Sequence, residues 1–377
     1  MTLEKIKSYM SGWIQLFRYL SIEKEDKDIT FYSEGRQYWI CYKGIIDELL
    51  KSKYKIYFIS SDLDDPGLHY SNDIQTFSID EKYQRLMLFK NLNTKILITT
   101  TPDLDNFPDF PKCNKTDHYI YCLHSLVSTH FAYNEGAFDN FDIIFCCGDY
   151  QIKEIRKTEA LYNLKPKILF KHGYSKLDYL LNNVKKNEQL EFEPYVLFAP
   201  GWNGAHSLVE NGKAIEYIRK VIEQGYKLYF KPHPESLKRS KLAINNIIRE
   251  FCNDERFIFF DDILTVDIIL HAKYLITDWS GIAIEYAFAT GNYVLYIDGP
   301  QKSVNKNSNR LEMKAFEASI REEIGYIWDG SKMIGEYDNK KDIKNIMREN
   351  IFNILNSDKI ASDYIASLLK PKSINFR

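Results

Sequence analysis

Three segments set polar, chemically competent residues directly behind short apolar runs. YFKPHPE (229–235) passes from such a run into Lys231 and His233, and Pro232 and Pro234 stiffen the backbone around them. A point positive charge and an imidazole held in fixed relation suit a phosphate. The same residues would also serve a rigid surface turn. ITDWSGIAIEYA (276–287) ends a second run at Asp278, and Ser280 and Gly281 then open an apolar helical pattern. The first N–H groups of a helix lack intrahelical partners and face its positive dipole end, so this start can hold a phosphate. Glu285, about one turn further on, is within reach of ribose hydroxyls. Plain capping by Asp278 or Ser280 is the competing explanation. YIYCLHSLVSTH (119–130) ends a third run at His124, followed by Ser125. An imidazole, with its ordinary pKa near 6.5, suits a general base. A satisfied structural histidine is the alternative, and His130 and Asp103 are the next candidates for the base.

These residues need elements that bring them to one place. Apolar runs recur at 55–60, 95–100, 119–124, 142–148 and 167–173, and again at 195–200, 227–234, 256–262, 274–278 and 293–298. Their apolar residues are continuous rather than alternating, which predicts strands buried on both faces. Helical patterns lie between several of them, as in ENGKAIEYIRKVIE (210–223), around 239–251 and over 341–369. Strand alternating with helix predicts parallel sheets with right-handed crossovers. The polar stretch NNVKKNEQLEFEP (182–194) reads as a linker. The expected organisation is therefore two doubly wound domains, 1–181 and 195–377, with ligands beyond the carboxyl ends of the strands and a substrate cleft between the domains.

Composition bounds the rest. The chain has 377 residues, 45% hydrophobic and 15% aromatic, too many for one ordinary core and too apolar for disorder. Its 52 acidic and 50 basic residues nearly cancel, which argues against a nucleic-acid partner. The six cysteines form no CxxC pair and no zinc spacing, and most lie inside apolar runs, as reduced thiols of a cytoplasmic protein do. No dinucleotide fingerprint, Walker A loop or nucleophile elbow is present. The first twenty residues lack the layout of a signal peptide, and no run reaches the roughly 18–20 apolar residues of a spanning helix. Residues 5–20 nevertheless form an amphipathic pattern, with Trp13, Phe17, Tyr19 and Leu20 beside Lys5, Lys7 and Arg18. That pattern suits either packing on its own domain or peripheral membrane contact.

From about residue 30 to about 300 the sequence resembles the CDP-glycerol glycerophosphotransferase family, which builds teichoic acid and related capsule polymers. FYSEGRQYWICYKGIIDELL (31–50) resembles the family's opening strand and helix, CLHS (122–125) its Trp-His-Gly segment, and HGYSKLDYL (172–180) its Gly-Tyr-Pro-Arg-x-Asp segment. LFAPGW (197–202), with Pro200 and Gly201, resembles its Tyr-Ala-Pro-Thr-Trp strand end. KPHP matches Lys-x-His-Pro, and ITDWSGIAIEYA resembles Thr-Asp-Tyr-Ser-Ser. Three departures stand out: Ser125 replaces the glycine after the histidine, Ser175-Lys176 replace Pro-Arg, and Gly281 replaces the second serine.

The resemblance implies a GT-B-like α/β enzyme with two Rossmann-like domains, the nucleotide donor bound by the second and the acceptor lying against the first, with the last helical segment (about 341–370) near or across the boundary between them. In that reading an acceptor hydroxyl attacks the distal phosphorus of a CDP-linked polyol-phosphate donor. His124 is the catalytic base and His233 assists at the phosphates. Lys231, Asp278, Ser280, Gly281, Glu285, Pro200 and Gly201 bind the donor, and Ser125 and Lys176 lie on the acceptor side. No resident cofactor or metal is expected, and the acceptor is lipid-linked or an oligosaccharide. A glycosyltransferase using a CMP-, UDP- or other nucleotide sugar, and a non-catalytic nucleotide-binding subunit of a polysaccharide assembly, are the alternatives. The oligomeric state is left open.

Overall fold

The computed structural model describes residues 3–80, 82–187, 193–262, 265–337 and 341–370. It contains two fully parallel sheets. The first is formed by β1 (Ile29–Ser33), β2 (Ile56–Ser60), β3 (Ile74–Ser78), β4 (Ile96–Thr99), β5 (His118–Cys122), β6 (Ile143–Cys146) and β7 (Ile168–Lys171), in the order β3-β2-β1-β4-β5-β6-β7. The second is formed by β8 (Tyr195–Phe198), β9 (Lys227–Phe230), β10 (Phe257–Phe259), β11 (Ala272–Thr277), β12 (Val294–Tyr296) and β13 (Gly325–Ile327), in the order β10-β9-β8-β11-β12-β13. β1, β2, β4, β6 and β8 are buried along their whole length, as continuous apolar runs covered by helices on both faces require. In register, Ile29 lies opposite Ile56 on one side and Ile96 on the other, so aliphatic rows run across the sheet.

The chain divides into two compact units: Met1–His124 with Tyr133–Tyr179 and Ile351–Arg377, and Ser125–Ala132 with Leu180–Asn350. One expected boundary therefore moves. Rather than a linker throughout, the stretch 182–194 begins inside the helix Ser175–Asn187, and 188–192 lie outside the described residues. The final helices, expected near or across the domain boundary, end in the helix Ser357–Leu369, which belongs to the first unit. Ala361 and Ile365 are fully buried there, in one core with Tyr42, Ile45 and Leu49 of the helix Trp39–Leu50. Asp178 anchors the return: Oδ2 accepts from the Ser357 N–H and hydroxyl at 2.8 and 2.6 Å, and Oδ1 accepts from the Leu355 N–H at 2.6 Å. Gly44 permits close approach, since a Cβ on it would lie 1.8 Å from Asp358 Oδ2. All six cysteines are free, and all but Cys252 are buried.

Candidate functional site

β9, β8, β11 and β12 are neighbours and all parallel, so the loops that follow them leave the second sheet at one edge, where ligands bind in open α/β sheets. Hydrogen bonds sew these loop starts together. The Lys231 N–H donates to the Phe198 carbonyl at 2.9 Å, and the Thr277 hydroxyl donates to the Ala199 carbonyl at 2.7 Å. Beyond buried Pro200, the Gly201 N–H donates to Asp278 Oδ1 at 2.6 Å. A Cβ on Gly201 would stand 2.8 Å from that same oxygen, so only glycine lets the turn come this close. Asp278 is thus a buried structural clamp. Burial pushes its carboxyl above the ordinary range, countered by the N–H groups of Gly201 and Trp279.

The Lys231 side chain is buried, and its ammonium donates to the Pro232 carbonyl at 3.3 Å. An ammonium carries three N–H donors, so capacity remains for an anion. Burial pushes its pKa down, against the pull of Asp261 and Asp262. His233 opens the helix Pro234–Arg239, and its Nδ1 accepts the Glu235 N–H at 3.1 Å. A backbone N–H can only donate, so in the neutral ring the proton sits on Nε2. Burial is the main force holding the His233 pKa down at about 4, followed by the positive charge of Lys302, with Lys231 and Lys238 adding to it. His233 is therefore a neutral N–H donor at physiological pH rather than a cation.

Ser280 and Gly281 precede the helix Ile282–Thr290, whose start no side chain caps. Glu285, 4% exposed, lies inside the unit and is engaged by other groups of the chain. Two residues of this edge escaped the sequence reading. Arg321 donates to the Asp278 carbonyl at 2.7 Å and the Ile297 carbonyl at 3.1 Å. Its guanidinium lies 4.2 and 4.0 Å from the ring centres of Trp279 and Tyr296, so one buried arginine fixes the start of the 278–281 turn. Lys302 lies on a strap beyond β12. The Trp279 indole N–H donates to the Gly299 carbonyl at 3.0 Å, Asn203 donates to the Pro300 carbonyl at 3.4 Å, and the Val304 N–H donates to the Phe131 carbonyl at 2.8 Å. Burial lowers the Lys302 pKa, opposed by Asp278, Glu317 and Glu235. The Asp-Gly-Pro that ends the β12 run was the signal that a further loop leaves this edge.

In the first unit, the rings of Tyr38, Tyr121 and Tyr133 surround His124 at 5.1, 6.4 and 5.7 Å. Removal from water pushes its pKa down to about 4. A hydrogen bond to the Thr100 backbone opposes that shift, and the charge of Lys176 adds to it. Its Nδ1 lies 3.2 Å from the Tyr121 hydroxyl, so the Thr100 backbone and Tyr121 both engage the neutral imidazole. The Tyr174 hydroxyl donates to the His124 carbonyl at 2.7 Å, tying the end of β5 to the turn after β7. Asp103, the alternative base, is buried and accepts from Asn134 at 3.0 Å, and burial raises its pKa. His130 is buried in the second unit, its Nε2 3.2 Å from the Met313 carbonyl. Ser125, expected on the acceptor side, falls within the second unit, and its Oγ lies 2.7 Å from where a Cβ on Gly281 would be. Among the described residues no group of three or more His, Cys, Asp or Glu is placed to hold a metal ion.

A family profile described as CDP-glycerol:poly(glycerophosphate) glycerophosphotransferase matches residues 16–298. The chain belongs to this family. As a glycerophosphotransferase-family protein it is an enzyme of the transferase class, and its two parallel-sheet units are GT-B-like. No curated protein matches the sequence significantly. The UDP-GlcNAc 2-epimerase from Neisseria meningitidis, solved bound to UDP-GlcNAc, superposes with a TM-score of 0.56 at 11% identity, over 90% of this chain and 99% of that one. The Methanocaldococcus jannaschii UDP-GlcNAc 2-epimerase, in complex with UDP-GlcNAc and UDP, gives 0.53 at 14% identity over the same shares. A glycosyltransferase from Rickettsia africae gives 0.50 at 11% identity, over 92% of this chain and all of that one. At these identities the likeness is one of fold. The strap carrying Lys302 and the residue Arg321 lie beyond the part of the glycerophosphotransferase-family chain that the profile matches.

Proposed function

We propose that this chain transfers a glycerol-phosphate or similar polyol-phosphate unit from a CDP-activated donor to a lipid-linked or oligosaccharide acceptor in the biosynthesis of a cell-surface polymer. The observation that carries the reading is the convergence, at one sheet edge, of Lys231, the Nε2–H of His233, Lys302 and the uncapped start of the 282–290 helix. These are donors and cations, the inventory that stabilises a pyrophosphate as negative charge develops on it. In this reading an oxygen of the acceptor bonds to the distal phosphorus and the bond from that phosphorus to the bridging oxygen breaks. CMP leaves with the electron pair, and the acceptor's proton passes to His124. The enzyme works in the cytoplasm with peripheral membrane contact through its first helix.

A second reading, a GT-B glycosyltransferase that attacks an anomeric carbon of a nucleotide sugar, is favoured by the departures at Ser125, Ser175-Lys176 and Gly281, all at positions where the family's pattern differs. One experiment separates them. The purified chain is mixed in parallel with CDP-glycerol, CDP-ribitol, CMP-sugars and UDP-sugars together with an acceptor extract, and release of CMP, CDP or UDP is recorded. CMP release from CDP-glycerol or CDP-ribitol is expected. Release only from a nucleotide sugar establishes the second reading, and tight CDP binding without turnover establishes a non-catalytic subunit.

A further inference from the structure

The segment Ser125–Ala132 leaves the first sheet after β5 but belongs to the second unit, where hydrogen bonds hold it. The Ser128 N–H donates to Glu317 Oε2 at 2.8 Å, His130 Nε2 lies 3.2 Å from the Met313 carbonyl, and Phe131 accepts from Val304. At the head of this fixed segment stands Ser125, half-buried, with its Oγ 2.7 Å from the position of a Cβ on Gly281. The nearest other atom to that position is Val127 Cγ1 at 3.4 Å. Gly281 is not required by backbone conformation, because its φ of −61° is open to any residue. The space a side chain there would take is occupied by the Ser125 hydroxyl, which would have to rotate away to admit one.

The two departures from the family's pattern are therefore one exchange. Where the pattern has glycine after the histidine and a serine at the second place of the signature, this chain has Ser125 and Gly281, and the two positions adjoin. We infer that the Ser125 hydroxyl replaces the missing side chain of position 281 and contacts the anionic phosphates of the nucleotide donor from the neighbouring segment. Ser125 is thus a donor-side residue rather than an acceptor-side one. The inference rests on the donor site proposed above.

A reciprocal exchange tests it, with CDP-glycerol and UDP-GlcNAc as probes and the dissociation constant read by calorimetry. Ser125→Ala removes the hydroxyl without adding bulk, and it weakens binding about 10- to 100-fold, the range for one hydrogen bond to a charged group. Gly281→Ser displaces the Ser125 hydroxyl from its present position and weakens binding as well. Ser125→Gly combined with Gly281→Ser returns the hydroxyl to position 281 and restores affinity to within about threefold of the parent, because the two changes are coupled rather than additive. Thermal unfolding of each variant separates lost binding from lost fold. Unchanged affinity in Ser125→Ala, or simple additivity in the double variant, overturns the inference while leaving the donor reading intact. If the parent chain binds neither probe, the donor reading itself fails and the inference with it.

Discussion

His233 and Lys302 form a pair whose electrostatics can be checked without any substrate. The His233 pKa is depressed first by burial and second by the Lys302 charge. Lys302→Gln removes the second cause and keeps the first. The imidazole pKa, followed by NMR titration, is expected to rise from about 4 but to stop short of the ordinary value near 6.5. An unchanged value would mean that the lysine does not face the ring. His124 gives the complementary prediction. With its pKa held at about 4, it stays neutral through the physiological range and is lost as a base only when the pH falls through about 4. The acid limb of the pH–rate profile is expected there rather than near 6.5. His124→Ala lowers turnover by about 10²–10⁴ and leaves CDP-glycerol affinity nearly unchanged, because the cations and donors assigned to the nucleotide belong to the other unit. Near-full activity in that variant would move the base to Asp103, whose carboxyl burial already raises.

The helix 357–369 carries the prediction at the scale of elements. Asp358 sits at its first turn, with its pKa raised to about 6 by burial and by the negative charges of Asp178, Asp47 and Glu48, against a hydrogen bond from Ser175. A raised carboxyl binds its proton more readily folded than unfolded, so its contribution to stability grows as the pH falls from about 6 toward 4 and is a cost above pH 6. Asp358→Asn is expected to stabilise the protein at pH 8 by about 1–3 kcal/mol and to lose that advantage near pH 4, measured by urea unfolding at both pH values. A gain independent of pH would refute the titration argument. This helix also marks where the sequence stopped being legible. Its apolar spacing announced a helix, but Ala361 and Ile365 carry no mark of which core they join. The anchor, Asp178, lies far away in sequence and looked like part of a motif rather than a cap. β1, ITFYS with Thr30 and Ser33 in it, was marked only by the resemblance of 31–50, whereas most central strands were plain from their unbroken apolar runs. β3 and β13 were not, since each is a short outer strand with polar or exposed positions. That His124, Lys231, His233 and Asp278 follow strand ends was legible for the same reason as the strands. Lys302, Arg321 and the placement of Ser125 were not, because each depends on loops from distant parts of the chain meeting at one edge.

At the scale of the whole molecule, the helix Leu3–Leu20 has two faces that answer the two expectations for it. Leu16 and Tyr19 are fully buried, and the Tyr19 hydroxyl lies 2.9 Å from that of Thr30, so one face packs on the first unit. Ile6, Met10, Ile14 and Phe17, spaced by four, four and three residues, form an exposed stripe, with Ile14 61% and Phe17 57% exposed. Trp13 stacks on Phe17, and the exposed Lys7 and Arg18 lie on the same helix. No described helix is long and apolar enough to cross a membrane. An apolar stripe beside basic residues fits shallow insertion into an anionic lipid surface, with each fully buried large side chain contributing about 1.5–3 kcal/mol and each nearby basic residue about 1 kcal/mol. Deleting the helix would also remove Tyr19 and Leu16 from the core, so substitution is the cleaner test. Ile14→Ser with Phe17→Ser is expected to lower flotation with phosphatidylserine-containing liposomes about tenfold or more while leaving the unfolding temperature unchanged. Raising salt should weaken the parent's binding, because Lys7 and Arg18 act through a screened field. Equal flotation of parent and variant would remove the stripe from the membrane argument. A parent that ignores liposomes but dimerises, with the variant monomeric, would assign the stripe to a second copy of the chain instead.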